Sequence, residues 1–196
     1  SEVLKHPNWK MGKKITVDSS TLMNKVFEII EAKNIFNIPY KKLSILIHPY
    51  SYIHAIINFN NGLSKLISHD TTMDIPIFNS LYSDTNKFIS SKKIDIKKLN
   101  NLDLMKVDVQ KFPSTKILKI LPNKLTLFDT VIVSANDEFV KLYLQKKIGY
   151  TDIIKGLFKI TNQVDFKRYK KIYPHKISDI LNLNEYVRFK INTMSI

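Results

Sequence analysis

The sequence has no cysteine, only four glycines and only two arginines, Arg168 and Arg188, in 196 residues. The missing cysteines exclude disulfide frameworks, thiolate metal sites and thiol nucleophiles. The scarce glycines form no G-x-G-x-x-G phosphate loop. No apolar run approaches the ~20 residues that cross a bilayer. The opening SEVLKHPNWK lacks the apolar core of a secretory signal. It reads as the middle of an element, so a fragment of a longer protein is expected. The 31 basic residues against 17 acidic ones give a formal net charge of +14, nearly all of it lysine. Specific nucleic-acid readers lean on the flat arginine fork. Here lysine travels with asparagine and isoleucine along the whole chain, the residue set of AT-rich codons. Compositional drift is therefore preferred over an anionic partner as the source of the charge. Apolar residues at 44% and charged residues at 24% are a globular balance.

Residues 5–12, KHPNWKMG, form a loop between Pro7 and Gly12 that carries the single tryptophan, Trp9. Such a loop is either a flap over a site or a staple onto the body. KKITVD at 13–18 reads as a strand. Ser20–Ala32 reads as a helix capped by Ser19 or Ser20, with Leu22, Met23, Val26, Phe27, Ile29 and Ile30 on its apolar side. Partial alternation over 43–59, then Asn61-Gly62 and a returning strand, predict an antiparallel hairpin. A helix is expected near 75–81. Residues 83–113 read as a polar connection, and helices are expected near 135–147 (ending at Gly149), 151–162 and 178–191 with Ser178 as cap. The class is α+β: a sheet-plus-helix portion over 1–82, a linker over 83–113 and a helical C-terminal domain over 114–196.

The stretch HPNWKMGKKITVDSSTLMNKVFEIIEA carries the chemistry. Helix starts present free N–H groups and partial positive charge, so they hold phosphates. Ser19, Asn24 and Lys25 add donors and a cation there. Glu28, about one turn on, would repel a phosphate unless a cation lies between them, and a divalent metal resolves that conflict. From spacing alone, a plain amphipathic helix with a solvated face is the preferred reading.

The wording of the segment adds to this. It resembles the 1-deoxy-D-xylulose 5-phosphate reductoisomerase family, whose pattern is HPxWxMGxKIxxDSATxMNKxxExIEA; the clear departure is Ser20, where the family has alanine. LIHPYSYIHAII resembles the family's IHPxSxxH strand and TMDIPI its DMxxPI segment. The likeness is dense over 5–81 and thins beyond, where Ser134–Glu138 replaces NAANE and Tyr82-Ser83 replaces Trp-Pro.

The resemblance implies that His6, Ser19, Asn24 and Lys25 hold a phosphorylated substrate. It implies that Glu28 contacts substrate and is one of three acidic ligands to Mg²⁺ or Mn²⁺ (or Co²⁺). Trp9 then sits on a closing lid, and Met11, Gly12 and Met73 lie near NADPH. Glu28, His6 and Trp9 are the expected catalytic set. The implied reaction is rearrangement and NADPH-dependent reduction of 1-deoxy-D-xylulose 5-phosphate, in a homodimer, in the bacterial cytoplasm or a plastid-type organelle. Nucleic-acid and membrane partners are not expected. The dinucleotide-binding domain and two further acidic ligands would precede residue 1, so the fragment alone is expected to be inactive. His48, His54 and His69 lack zinc spacing; His54 is read as a support residue or a substrate contact, and His175 as a surface residue. The alternative is a non-enzymatic basic module that binds nucleic acid or another anionic partner.

Overall fold

A computed structural model of the chain describes residues 12–82, 86–93 and 95–194. Within those residues the chain forms two compact units, one of 12–45 with 108–194 and one of 46–107. These boundaries differ from the expected ones at 82 and 113.

The first unit is helical. Helices α1 (Lys13–Thr21) and α2 (Met23–Phe36) are joined at Leu22, and α5 (Phe128–Leu144), α6 (Tyr150–Asn162), α7 (Val164–Lys167) and α8 (Ile177–Thr193) complete it. The strand expected over 13–18 is α1 instead. Its β-branched residues favour a strand, but tertiary packing overrides that preference. Val17 is fully buried in the same core as Met23, Val26 and Ile30 of α2. Lys14 pairs with Asp18 one turn on at 3.0 Å, and the Thr16 hydroxyl donates to the Gly12 carbonyl at 3.0 Å. The helix expected at 20–32 is α2, which starts three residues later.

Helix α5 is the centre of this unit. Phe128, Val131, Ile132, Ala135, Phe139 and Leu142 recur at helical spacing and are buried. The helix therefore begins seven residues before the expected Ala135. It ends at Leu144, with Lys146 taking the left-handed conformation (φ 61°). The Lys147 N–H reaches back to the Leu142 carbonyl at 2.9 Å. Gly149 instead begins α6, where its N–H donates to the Asp152 carboxylate at 2.9 Å. The first turn of α8 is tied the same way: the Lys176 N–H donates to Asp179 at 3.1 Å, so Ser178 is not its cap.

Gly156 of α6 lies against Phe139, and a Cβ there would fall 2.5 Å from the Phe139 ring. Gly156→Ala should therefore destabilise the protein by about 1–3 kcal/mol, although alanine favours helix by about 1 kcal/mol. Thermal unfolding checks this, and a variant as stable as the parent would show that the ring moves aside freely.

The second unit holds two small antiparallel sheets. Strand β1 (Leu46–Ile47) pairs with β4 (Met105–Lys106), and β2 (Ile53–Asn58) pairs with β3 (Ser64–Ser68). The Asn61-Gly62 turn is as expected: Gly62 has φ 87°, and the Phe59 N–H donates to the Leu63 carbonyl at 2.8 Å. The alternation over 43–59 is broken into two short strands at a turn around His48–Ser51. Helix α3 (Asp74–Leu81) matches expectation. The stretch 83–113 contains α4 (Ile96–Asn100) as well as β4. Tyr52 is buried, and its hydroxyl accepts the Asp95 N–H at 3.2 Å just before α4.

Candidate functional site

The α1–α2 junction brings Ser19, Asn24, Lys25 and Glu28 onto one stretch of backbone. The helix start lies at Met23 rather than at Ser19 or Ser20. Leu22 has φ 58°, a conformation that a branched side chain rarely adopts. Several bonds hold it there. The Leu22 N–H donates to the Ser19 carbonyl at 3.2 Å. The buried Ser114 hydroxyl donates to the Thr21 carbonyl, and the Thr21 hydroxyl donates to the Asp18 carbonyl at 3.1 Å. The Met23 N–H faces the Thr21 hydroxyl at 3.4 Å. The N–H groups of Asn24 and Lys25 lie in the first turn of α2, directly after the left-handed Leu22. The Asn24 Oδ1 atom is buried with no hydrogen-bond partner. The junction thus holds a helix start, an unpartnered amide acceptor and the Lys25 cation.

Lys25 Nζ lies 2.8 Å from both carboxylate oxygens of Glu28. The positive charge beside Glu28 is therefore Lys25 itself. Both side chains are exposed, at 42% and 53%. Glu28 is a hard oxygen donor of the kind Mg²⁺ and Mn²⁺ take. Among the described residues no cluster of three or more His, Asp or Glu could hold a metal. Glu28 offers one such donor, held by Lys25.

A polar network lies behind the junction. The Asp18 carboxylate accepts from Asn136 Nδ2 at 2.8 Å and pairs with Lys14 at 3.0 Å. Lys14 also reaches Asp137 at 2.8 Å. Arg188 of α8 contacts Glu138 at 3.0 Å and Asp137 at 3.3 Å. Burial pushes the Asp18 carboxyl above its ordinary value, against the hydrogen bonds from Asn136 and Lys14. Burial also pushes Glu138 up, but bonds from Asn192, Lys141 and Arg188 outweigh it and hold its carboxyl below the ordinary value. The Ser134–Glu138 segment, whose role the sequence leaves open, sits inside this network and joins α5 to α1 and α8.

Ser20 also has a partner. The Tyr150 hydroxyl donates to Ser20 Oγ at 3.0 Å, and Ser20 Oγ donates to the Val17 carbonyl at 2.7 Å. Ser20→Ala should leave the Tyr150 hydroxyl without this acceptor and cost about 1 kcal/mol. Tyr150→Phe should remove most of that difference in a double-mutant cycle, and additive losses would show that the bond contributes nothing.

Gly12 precedes α1 and Met73 precedes α3, both exposed and in different compact units. His6, Trp9 and Met11 are outside the described residues. His54 is exposed and stacks on His69 with ring centroids 3.6 Å apart, its Nε2 lying 3.0 Å from the His69 carbonyl. His48, outside any strand, packs edge-on to Tyr50 at 6.0 Å, and His175 is exposed. Sequence reasoning missed Ser114 and Asn136, which reach the junction from 93 and 118 residues away.

Fold and site together define an α+β chain whose central feature is a donor-rich helix start followed by an acidic residue one turn on. Residues 1–36 match the 1-deoxy-D-xylulose 5-phosphate reductoisomerase C-terminal domain, and residues 69–190 match the DXP reductoisomerase C-terminal domain. The chain belongs to the 1-deoxy-D-xylulose 5-phosphate reductoisomerase family. It is 60% identical over 195 residues to a reductoisomerase of that name from Pelagibacter ubique, covering 100% of this chain and 50% of the relative. An Aquifex aeolicus reductoisomerase is 35% identical, with 97% and 49% covered. The chain thus spans about half the length of the curated relatives it matches. Among solved structures, the Zymomonas mobilis reductoisomerase in complex with NADPH is 29% identical, with TM-score 0.79, 96% of this chain covered and 47% of the other. A DOX-P reductoisomerase in complex with NADPH, fosmidomycin and magnesium is 26% identical with TM-score 0.86, covering 97% and 48%.

Proposed function

We propose that this chain is the substrate-binding and C-terminal part of an NADPH-dependent enzyme that rearranges and reduces 1-deoxy-D-xylulose 5-phosphate to 2-C-methyl-D-erythritol 4-phosphate. The observation that carries the reading is the α1–α2 junction, where Asn24, the Lys25 cation and the Glu28 carboxylate sit together in the first turns of α2. Ser19, Asn24 and Lys25 would bind the substrate phosphate, and Glu28 would hold the ion and contact substrate. When bound, the metal supplies Lewis-acid polarisation of substrate oxygens and the nicotinamide supplies hydride. Gly12, Met11 and Met73 lie on the nucleotide side. His6 joins the phosphate contacts, and the Trp9 loop closes over the substrate to exclude water.

The reading extends to a homodimer in the bacterial cytoplasm. Among the described residues no helix is long and apolar enough to cross a membrane. The solved relatives with NADPH and magnesium support this reading over the basic-module alternative.

Lys25→Met tests the phosphate role in the full-length enzyme. Phosphate is held alike in ground and transition states, so KM should rise about 10–100-fold while kcat changes little. Steady-state oxidation of NADPH measures both constants. An unchanged KM would remove Lys25 from the site.

A further inference from the structure

Away from the α1–α2 junction, the helical unit has an open cavity of about 690 Å³. Four lysines line it from three stretches of chain: Lys33 at the end of α2, Lys124 before α5, and Lys170 and Lys171 after α7. No acidic residue lines it, and none of the four has a carboxylate within ion-pair distance among the described residues. The remaining wall is partly apolar, with Pro122, Leu125 and the exposed Tyr173 ring.

The lysines are not all surface ornament. Lys33 is only 5% exposed. Its Nζ donates to Asn34 Oδ1 at 3.0 Å, and Asn34 in turn lies 3.4 Å from Asp129. Asp129 is the one acidic group nearby. It touches the electrostatics of Lys33 without forming an ion pair, and burial pushes its own carboxyl up. Lys170 is held 4.8 Å over the Phe128 ring. Burial, with Lys167 beside it, holds Lys170 below the ordinary lysine value. Four lysines thus line one open cavity with no carboxylate in ion-pair contact with any of them among the described residues, and such a concentration of positive charge favours an anion among them.

The geometry points to this cavity as a binding site for a small organic phosphate or diphosphate, with its phosphates on Lys33, Lys124, Lys170 and Lys171 and a flat or apolar body on Leu125 and Tyr173. Lysine binds phosphate as a point charge. The volume exceeds an inorganic ion and lies in the range of small-molecule pockets. This inference is independent of the reductoisomerase reading.

Equilibrium dialysis of labelled ADP on the full-length protein, with NADPH saturating so that the dinucleotide site is filled, tests it. One saturable ADP site is expected, weakened about tenfold or more in Lys124→Ala/Lys171→Ala. Removing two exposed lysines of the other unit, in Lys65→Ala/Lys106→Ala, should leave it unchanged. Equal weakening in both double variants would reduce the effect to net charge and overturn the proposal. So would absence of saturable binding. Citrate competing as well as ADP would overturn the phosphate assignment, and pyrophosphate binding as tightly as ADP would overturn the role of the apolar wall. Lys25→Met separates this site from the proposed active site, since ADP binding here should survive it.

Discussion

Glu28→Gln in the full-length enzyme is expected to lower kcat/KM by more than about 100-fold and to weaken Mn²⁺ binding by a similar factor. Loss of groups that merely support a metal ligand costs about 10–100-fold, and loss of a ligand itself should exceed that. Glutamine keeps the shape but offers a neutral oxygen and an N–H group that cannot face a cation. Instability is not the explanation to expect. Glu28 is half exposed and its pair with Lys25 lies on the surface, where such pairs contribute between about 0 and 1 kcal/mol. Melting temperature should therefore move little. Titration of Mn²⁺ by electron paramagnetic resonance reads the metal directly, apart from turnover. Unchanged Mn²⁺ affinity in Glu28→Gln would place the ligand elsewhere. The contrast with Lys25→Met, which should spare metal affinity, separates the two roles on neighbouring turns.

The candidate site residues of α2 are legible in sequence because its apolar positions repeat at 3.6 residues and leave Asn24, Lys25 and Glu28 on the other side. The β2–β3 hairpin is legible because Asn61-Gly62 supplies the turn. Helix α1 is not, because Ile15, Thr16 and Val17 favour a strand locally and only the core contact of Val17 and the Asp18–Asn136 bond reverse that. The left-handed Leu22 has no sequence signal at all, since nothing local prefers it, and so the helix start is displaced from the serines to Met23. The family resemblance supplies roles for His6, Trp9 and Met11 that this structure does not describe. The Ser134–Glu138 segment matches its family pattern poorly, yet it sits where α1, α5 and α8 meet. Pairings over 50 to 118 residues, such as Arg188–Glu138 and Asn136–Asp18, are fixed by packing and leave no periodic trace.

Arg188→Met is expected to destabilise the protein by about 2–3 kcal/mol at neutral pH, and by less in acid. Glu138 is almost wholly buried, and Arg188 is one of three groups that satisfy it. A buried carboxylate stripped of one of its two charge partners loses a strong bond and keeps its desolvation cost. Lys141 and Asn192 remain, so the loss falls short of the largest values for broken buried pairs. The pH dependence follows from the direction of the shift. The folded Glu138 carboxyl lies below its ordinary value, near 4.3 in the unfolded chain. Its stabilisation is therefore present above about pH 4.3 and is lost as pH falls through the depressed folded value. Asp18 has the opposite sign: its folded carboxyl is raised, so its contribution is present below the unfolded value and is lost as pH rises through the folded one. Asp18 does not touch Arg188 directly, so its part should cancel between parent and variant. Chemical denaturation of both proteins at about pH 7 and about pH 3 gives the difference. A gap between the two proteins that is the same at both pH values would mean that Arg188 acts through packing of its stem and not through the charge of Glu138.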